Sequence, residues 1–459
     1  MDKVKFPTTP LGRLKLFFTF FDSRWEDLTK DKWAKIIYQD FSAGLIVAMT
    51  AIPMAMGFAM AMGMRPEHGI IAGALACLVG RTFGGSKYQV YGPTAAFIPV
   101  IAGLMAKYNP EGLTFESAHG FLVLVSIISG IILIVMGIFG AGKYAKLVPN
   151  SIIVGFTVGI AIAIAMTNLK DILGLDSYKA LLGDSNRGLL EKVSYMFSHL
   201  NIINIWTILL GVLTFVLAKY LLKISVYIPG PVIAMGTATL LANTVLADKN
   251  ILLVKDLYGS IPNNFFKLQM PYLPPMTGGV ILDILYFVSA IVFVSGVESV
   301  LCSSMADKLA NNNKTPFNPD KEFFGQGLVQ IIVPLVQGFP CTGALARTAT
   351  SIKAGAKTPL AGYFKAILKL VLAYYLAQYL ELVPMACIGG ILVWVASNMI
   401  KPAEIKEVKE HGKFEFAMLL YTAIMVPMTD FLTGVLSALV IYFVVKYAFK
   451  KKNQKLANH

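Results

Sequence analysis

Arg347 stands in QGFPCTGALARTATSIKAG, residues 337–355, an arginine set among small and apolar neighbours. Gly338, Pro340 and Gly343 oppose a regular helix at the start of this stretch. From Thr342 onward, TGALARTATSI predicts a new helix that begins within apolar surroundings. A helix that starts inside a membrane points unpaired N–H groups and the positive end of its dipole inward. Side chains lean toward their own helix N-terminus, so Arg347 is expected to reach back over Gly343, one turn earlier. Small residues at Thr342, Gly343 and Ala344 beside a guanidinium describe a site for a small anion. A lone arginine at membrane depth costs at least ~2.5–3.5 kcal/mol, so it must face a cavity or pair with a carboxylate that locks two helices.

A second break of the same kind lies at Gly92, Pro93 and Thr94, in VYGPTAAF. Proline suits a first helical turn, glycine allows close backbone approach, and Thr94 offers a hydroxyl. With Ala95 these residues extend the candidate anion-binding set; the plain alternative is a helix kink. Pro53 and Met54, in AIPMAMGFAMAMG, loosen an early helix and complete the set, although packing explains them as readily as substrate contact. Glu298 lies deep in ILYFVSAIVFVSGVESVLCSSMADKLA, where Ser295, Glu298, Ser299 and Cys302 fall at helical spacing as a narrow polar stripe. A carboxyl inside a membrane helix is a candidate proton relay, so Glu298, Ser299 and Cys302 form a candidate cation-coupling set. The alternative for Glu298 is a static salt bridge to Arg347. Asp307 is expected to cap or pair at the inner interface.

The elements that must hold these residues are membrane helices. Hydrophobic residues make up 56% of the 459-residue chain and charged residues 14%, against about a quarter charged in soluble proteins. Mean hydropathy is +0.66. Apolar spans are expected near residues 42–61, 68–83, 90–106, 118–139, 145–166, 201–222, 229–246, 279–306, 322–336, 342–354, 360–379, 383–399, 414–429 and 431–449. The two broken spans are the third and the tenth, at matching places in two sets of seven. Such placement points to a seven-plus-seven inverted repeat whose half-helices meet at the midplane, the usual place of a transport site. The fold class is therefore an all-α polytopic membrane protein of about 14 segments.

Lys and Arg bias sets the orientation. With both termini cytoplasmic, roughly 28 fall inside and roughly 9 outside. Residues 1–39 are expected to form a cytoplasmic segment with an interfacial amphipathic helix, around residues 11–21 and 33–38, on the lipid surface. Residues 40–450 form the transmembrane domain and residues 451–459 a short basic tail. The connections at 168–200 and 248–278 are long and outer. The second carries PYLPPM and is expected to be an irregular cap.

Several classes are excluded. The formal charge of +14 is spread over loops and tails, so no nucleic-acid partner is expected. Cys77, Cys302, Cys341 and Cys387, and the five scattered histidines, follow no disulfide or metal spacing, so neither metal nor cofactor is expected. No GxxxxGK[ST] loop supports ATP-driven pumping, and no catalytic set supports an enzyme.

Taken together and in this order, AIPMAMGFAMAMG, GPTAAF, VESVLCSSMADKL, EFFGQG and GFPCTGALARTATSIKAG resemble the SulP family of sulfate permeases and related anion transporters. The resemblance runs from about Asp40 to the last span. It implies a core and a gate domain, an anion held between the third and tenth half-helices, and an elevator-like movement of core against gate. It also implies that Arg347 matches a basic residue at the anion site and that Glu298 matches an acidic position linked to cation coupling. Two departures stand out. Pro53-Met54 replaces the Pro-Gln of many members and is closer to cyanobacterial bicarbonate transporters, which lack an arginine matching Arg347. The cytoplasmic STAS domain of most members is not in this sequence.

These readings converge on a secondary active transporter of small inorganic anions in the inner (plasma) membrane. Sulfate stands ahead of bicarbonate, with proton or sodium symport and a homodimer through the membrane domain as expected partnerships. An uncoupled channel or exchanger, or a nucleobase carrier of the same fold, is the alternative. Charge counting sharpens the first reading. Two helix starts contribute about +0.5 each, so with Arg347 the site is near +2, and near +1 when Glu298 is ionised. A divalent anion with a proton fits the first state and a monovalent anion the second.

Overall fold

The computed structural model describes residues 7–29, 33–108, 115–175, 189–262, 266–429 and 431–457. After a short α1 (Pro10–Phe17), the first half runs α2 (Trp33–Ala61), α3 (Pro66–Phe83), α4 (Ile98–Tyr108), α5 (Phe115–Ile138), α6 (Asn150–Leu173), α7 (Leu189–Ser198), α8 (Ile205–Ile224) and α9 (Gly230–Asn243). A connecting α10 (Val254–Tyr258) leads to α11 (Gly278–Leu309), α12 (Pro319–Leu335), α13 (Leu345–Lys353), α14 (Leu360–Glu381), α15 (Met385–Met399), α16 (Pro402–Glu410), α17 (Lys413–Met428) and α18 (Phe431–Ala457). With α1, α7, α10 and α16 set aside as surface or connecting pieces, the described residues hold fourteen elements in the expected order. Among the described residues, seven helices are long and apolar enough to cross a membrane by themselves, α2, α5, α6, α8, α11 and α14 among them. Large apolar side chains line the outer faces: Ile131 and Val135 on α5, Leu209 and Val212 on α8, Val440 and Phe443 on α18. A lipid-facing helix is expected to show such a face.

The helix contacts carry the signature of the repeat. Moving seven elements along the chain turns one contacting pair into another: α3–α14 into α12–α5, α2–α14 into α11–α5, α6–α17 into α15–α8, and α8–α9 into α17–α18. The pairs α3–α12 and α6–α15 map onto themselves, as pairs on the pseudo-two-fold axis must. Seven is odd, so a continuous chain enters the second set from the opposite side and the repeat is inverted. The contacts also sort the helices into two bodies. α2 to α5 with α11 to α14 make the core, and α6, α8, α9, α15, α17 and α18 make the gate.

Among the described residues, one two-stranded ladder departs from an all-helical fold. Tyr91–Gly92 (β1) and Thr342–Gly343 (β2) pair as antiparallel strands, with Tyr91 opposite Gly343 and Gly92 opposite Thr342. Extended backbone at membrane depth has no water to satisfy it, so each break supplies the other's partner. This corrects the expected helix start at Thr342. Thr342 and Gly343 belong to the strand, Ala344 is the N-cap, and the helix begins at Leu345.

The amino-terminal segment rests on the core. Phe17 is fully buried and stacks on Phe324 of α12 at 4.7 Å between ring centroids. Lys321, at the start of α12, donates to the Thr19 carbonyl and to Asp22, both at 2.8 Å. Leu11 and Phe21 stay exposed. Residues 33–38 form the first turns of α2. The connection after α9 is tied down by backbone bonds from Gln269 to Leu335 and from Tyr272 to Gly120.

Candidate functional site

Side chains cap some of the described helices and leave others, among them α3, α6 and α9, uncapped. Asn318 accepts from the Asp320 and Lys321 amides at the start of α12, and Thr277 accepts from Val280 at the start of α11. The two half-helices belong to the uncapped group. Thr94 precedes the 3-10 turn Ala95–Phe97 that leads into α4, and Ala344 precedes α13, and neither side chain caps its helix. First-turn amides at both starts are therefore left without a side-chain acceptor. The ladder brings the two starts together, reinforced by Ala344 N–H donating to Val90 O at 2.9 Å and Val90 N–H donating to Thr348 Oγ1 at 2.9 Å.

Arg347 occupies this junction and is 4% exposed. It does not fold back over Gly343. Its Nη2 donates to the Pro93 carbonyl, 254 residues away in sequence, so the guanidinium of one break grips the backbone of the other. The physical reason is the strand: Gly343 is taken up by pairing with Tyr91 and lies against the Gln89 side chain. Gly92 has φ of +153°, and a Cβ there would stand 3.0 Å from Arg347 Nη1, so the close approach requires glycine. Nη1 itself is buried with no hydrogen-bond partner. A buried, unpaired guanidinium nitrogen is costly, and it is the feature a bound anion repays.

Glu298 is brought to the same place from α11. Thr94 Oγ1, free of capping duty, donates to Glu298 Oε2 at 3.1 Å. Among the described residues no ion pair joins Glu298 to Arg347, so the locked salt bridge weighed from the sequence is not formed. The other members of the polar stripe turn elsewhere. Ser299 donates to Glu322 Oε1, and Cys302 Sγ lies 3.4 Å from Thr348 Oγ1. Thr342 Oγ1 donates to the Ser295 carbonyl at 3.4 Å, behind the ladder. Ala95 and Ala344 sit at the two helix starts. Pro53 and Met54 are buried within a continuous α2, which packs against α4 and α13, and bring no polar side-chain atom to the junction.

A second buried network supports the junction. Glu322 is fully buried on α12 and accepts from Gly85 N–H at 2.9 Å, Tyr91 O–H at 2.8 Å, Gln89 Nε2 at 2.8 Å and Ser299 Oγ. A carboxylate with this many donors is fixed in place. Glu298, with Thr94 alone, is not. Gln326 and Gln330 both donate to the Cys341 carbonyl, which holds the chain just before β2. On the far side of β1, the buried Lys365 and Lys369 of α14 donate to backbone carbonyls. Sequence reasoning passed over these residues. For the lysines the signal was present, since two cations four residues apart in an apolar helix are as anomalous as Glu298.

The sequence model of the sulfate permease family matches residues 37–422. The chain belongs to that family. It is 32% identical over 428 residues to the putative sulfate transporter YvdB of Bacillus subtilis, covering 92% of this chain and 75% of that one. It is 27% identical over 394 residues to the bicarbonate transporter BicA of Picosynechococcus, covering 84% of this chain and 66% of that one. Among solved structures, the transmembrane domain of a cyanobacterial BicA superposes with a TM-score of 0.71 at 22% identity, over 87% of this chain and 97% of that one. Murine solute carrier 26 family member A9, an anion transporter in an inward-facing state, superposes with a TM-score of 0.77 at 16% identity, over 97% and 76%. The sulfate permease fold thus accounts for the core, the gate and the paired half-helices, and the named relatives are transporters rather than enzymes.

Proposed function

We propose that this member of the sulfate permease family is a secondary active transporter that carries small inorganic anions across the inner (plasma) membrane, with both termini cytoplasmic. Sulfate is the first candidate and bicarbonate the second. One observation carries the reading: a buried guanidinium nitrogen without a partner, set between two uncapped helix starts. Positive dipole ends, free amides and a fork-shaped cation together recognise an oxyanion. Arg347, Gly343, Ala344, Thr342, Pro93, Thr94 and Ala95 form the binding set, with Pro53 and Met54 as apolar wall. Glu298, hydrogen-bonded to Thr94 and not ion-paired with Arg347, is the coupling group. With a proton on Glu298 the site suits a divalent anion; without it, a monovalent one. Movement of the core against the gate then carries the junction across the membrane.

The test is uptake into proteoliposomes, comparing labelled sulfate with labelled bicarbonate under imposed proton and sodium gradients. Saturable sulfate accumulation that collapses with the coupling gradient is the expected result. Equilibration with no accumulation under any gradient overturns coupling and leaves an uncoupled conductance or exchanger. Competition by uracil or xanthine overturns the anion reading itself.

A further inference from the structure

The anion reading leaves two buried cations unused. Lys365 and Lys369 lie one turn apart on α14, 1% and 0% exposed. Lys365 Nζ is well supplied, donating to Gly73 O at 2.7 Å and to Tyr91 O at 2.9 Å. It is a positioning residue, pinning α3 to the strand that carries Gly92. Lys369 Nζ has one acceptor, Gly69 O at 3.2 Å. An ammonium has three donors, so most of its capacity is idle. Among the described residues neither lysine forms an ion pair, and neither does Arg347. Of the carboxylates near the ladder, Glu322 is enclosed by its own donors and Glu298 is hydrogen-bonded to Thr94, and among the described residues neither is ion-paired with a lysine.

Glycine geometry shows where Lys369 points. A Cβ on Gly73 would run into Lys369 Nζ and would lie 3.1 Å from Pro93 Cδ. A Cβ on Gly92 would lie 3.4 Å from Gly73 Cα and 3.0 Å from Arg347 Nη1. Gly73, Gly92 and Pro93 therefore make one thin wall of bare backbone, with the ammonium against one side and the unpartnered guanidinium nitrogen against the other. A helix staple explains Lys365, whose donors are used. It does not explain a second lysine with one long bond, because an apolar residue there would avoid the cost of burying a charge.

We propose that Lys369 is a second cationic anchor of the transport site, acting across the Gly73–Gly92 wall, and that it sets a preference for doubly charged oxyanions over singly charged ones. The proposal rests on the anion-carrier reading above and deepens it. The electrostatic argument is simple: a fixed positive charge stabilises a divalent anion twice as much as a monovalent one at the same distance. Through a protein of effective dielectric constant about 20, that difference is on the order of tenfold in relative affinity.

The experiment uses the full chain in proteoliposomes, with KM measured separately for labelled sulfate and labelled bicarbonate. Lys369→Met is expected to raise the KM for sulfate about tenfold more than the KM for bicarbonate. Gly73→Ala keeps the charge but displaces the ammonium, and is expected to shift the same ratio in the same direction by less. Lys365→Met is expected to weaken both anions together and to lower the melting temperature. Equal changes for the two anions in Lys369→Met, or no change, make Lys369 a staple and overturn the proposal. Should Lys369→Met fail to fold, an unchanged ratio in Gly73→Ala overturns it instead. Wild-type protein that moves neither anion saturably defeats the carrier reading and this proposal with it, whereas a wild type that transports both with no preference for sulfate defeats the proposal alone.

Discussion

Replacing Arg347 by alanine is expected to separate anion affinity from folding, because the two depend on the side chain with opposite sign. In the folded protein Arg347 is 4% exposed, its Nη2 holds the Pro93 carbonyl and its Nη1 has no partner. For a bound anion, losing a buried charge-assisted partner costs about 2–5 kcal/mol, or between about 30-fold and several thousandfold in affinity. For the fold, alanine removes a buried cation that has no ion-pair partner among the described residues, which is favourable. Against this stands the Pro93 carbonyl left without a donor, at about 1–3 kcal/mol, so the net effect on stability is within about 2 kcal/mol of zero. Labelled sulfate uptake in proteoliposomes gives the first quantity, and thermal unfolding of the purified protein gives the second. Arg347→Lys keeps the charge but cannot hold Pro93 and present a second donor in a fixed fork, so its affinity is expected to fall about tenfold. Wild-type KM in Arg347→Ala would refute the site. A steep fall in melting temperature with sulfate affinity intact in the survivors would make Arg347 a lock between the breaks.

Other expectations follow from the same geometry. Glu298→Gln retains an acceptor for Thr94 but cannot exchange a proton, so it is expected to bind sulfate yet to lose gradient-driven accumulation; undiminished proton-driven accumulation in this variant would remove Glu298 from the coupling role. Gly92→Ala forces a side chain into a positive-φ position 3.0 Å from Arg347 Nη1, and a strain of about 1–3 kcal/mol together with displaced guanidinium should cut sulfate affinity by at least tenfold. An unchanged KM there would mean that the guanidinium is not held at the wall during transport. Glu322→Gln loses charge-assisted bonds from Gly85, Tyr91, Gln89 and Ser299, so it is expected to lower the melting temperature and to impair sulfate and bicarbonate uptake alike. A selective loss of one anion would place Glu322 in the binding site.

Much of this architecture is legible in the residues. Apolar spans of bilayer length, and two glycine-proline breaks at the third and tenth places, lead directly to the repeat, because lipid leaves the backbone few choices. Arg347 and Glu298 are equally visible, since an ion in an apolar run stands out against its cost. What escapes is whatever depends on a distant partner. A two-residue strand has no signature of its own, and β2 exists only because Tyr91 and Gly92 lie across from it. That strand in turn redirects Arg347 to Pro93 rather than Gly343. Glu322 reads as a helix-start residue until Gly85, Gln89 and Tyr91 arrive from more than 230 positions earlier. Lys365 and Lys369 are visible as cations in an apolar 22-residue helix, but the acceptors they reach, Gly73, Tyr91 and Gly69, are not.

The two-residue ladder has a thermodynamic consequence. It welds the half-helix of one repeat to that of the other, and Arg347 and Thr348 add cross-links from α13 to the backbone of the first break. Binding groups from both repeats therefore form one rigid constellation that no single hinge can split. On the carrier reading proposed above, the protein would present the same binding groups to solute on either side of the membrane. Its own structure then favours no direction of transport. On the proposed coupling, accumulation would be set, as in any secondary carrier, by the gradients of the ions that move with the substrate.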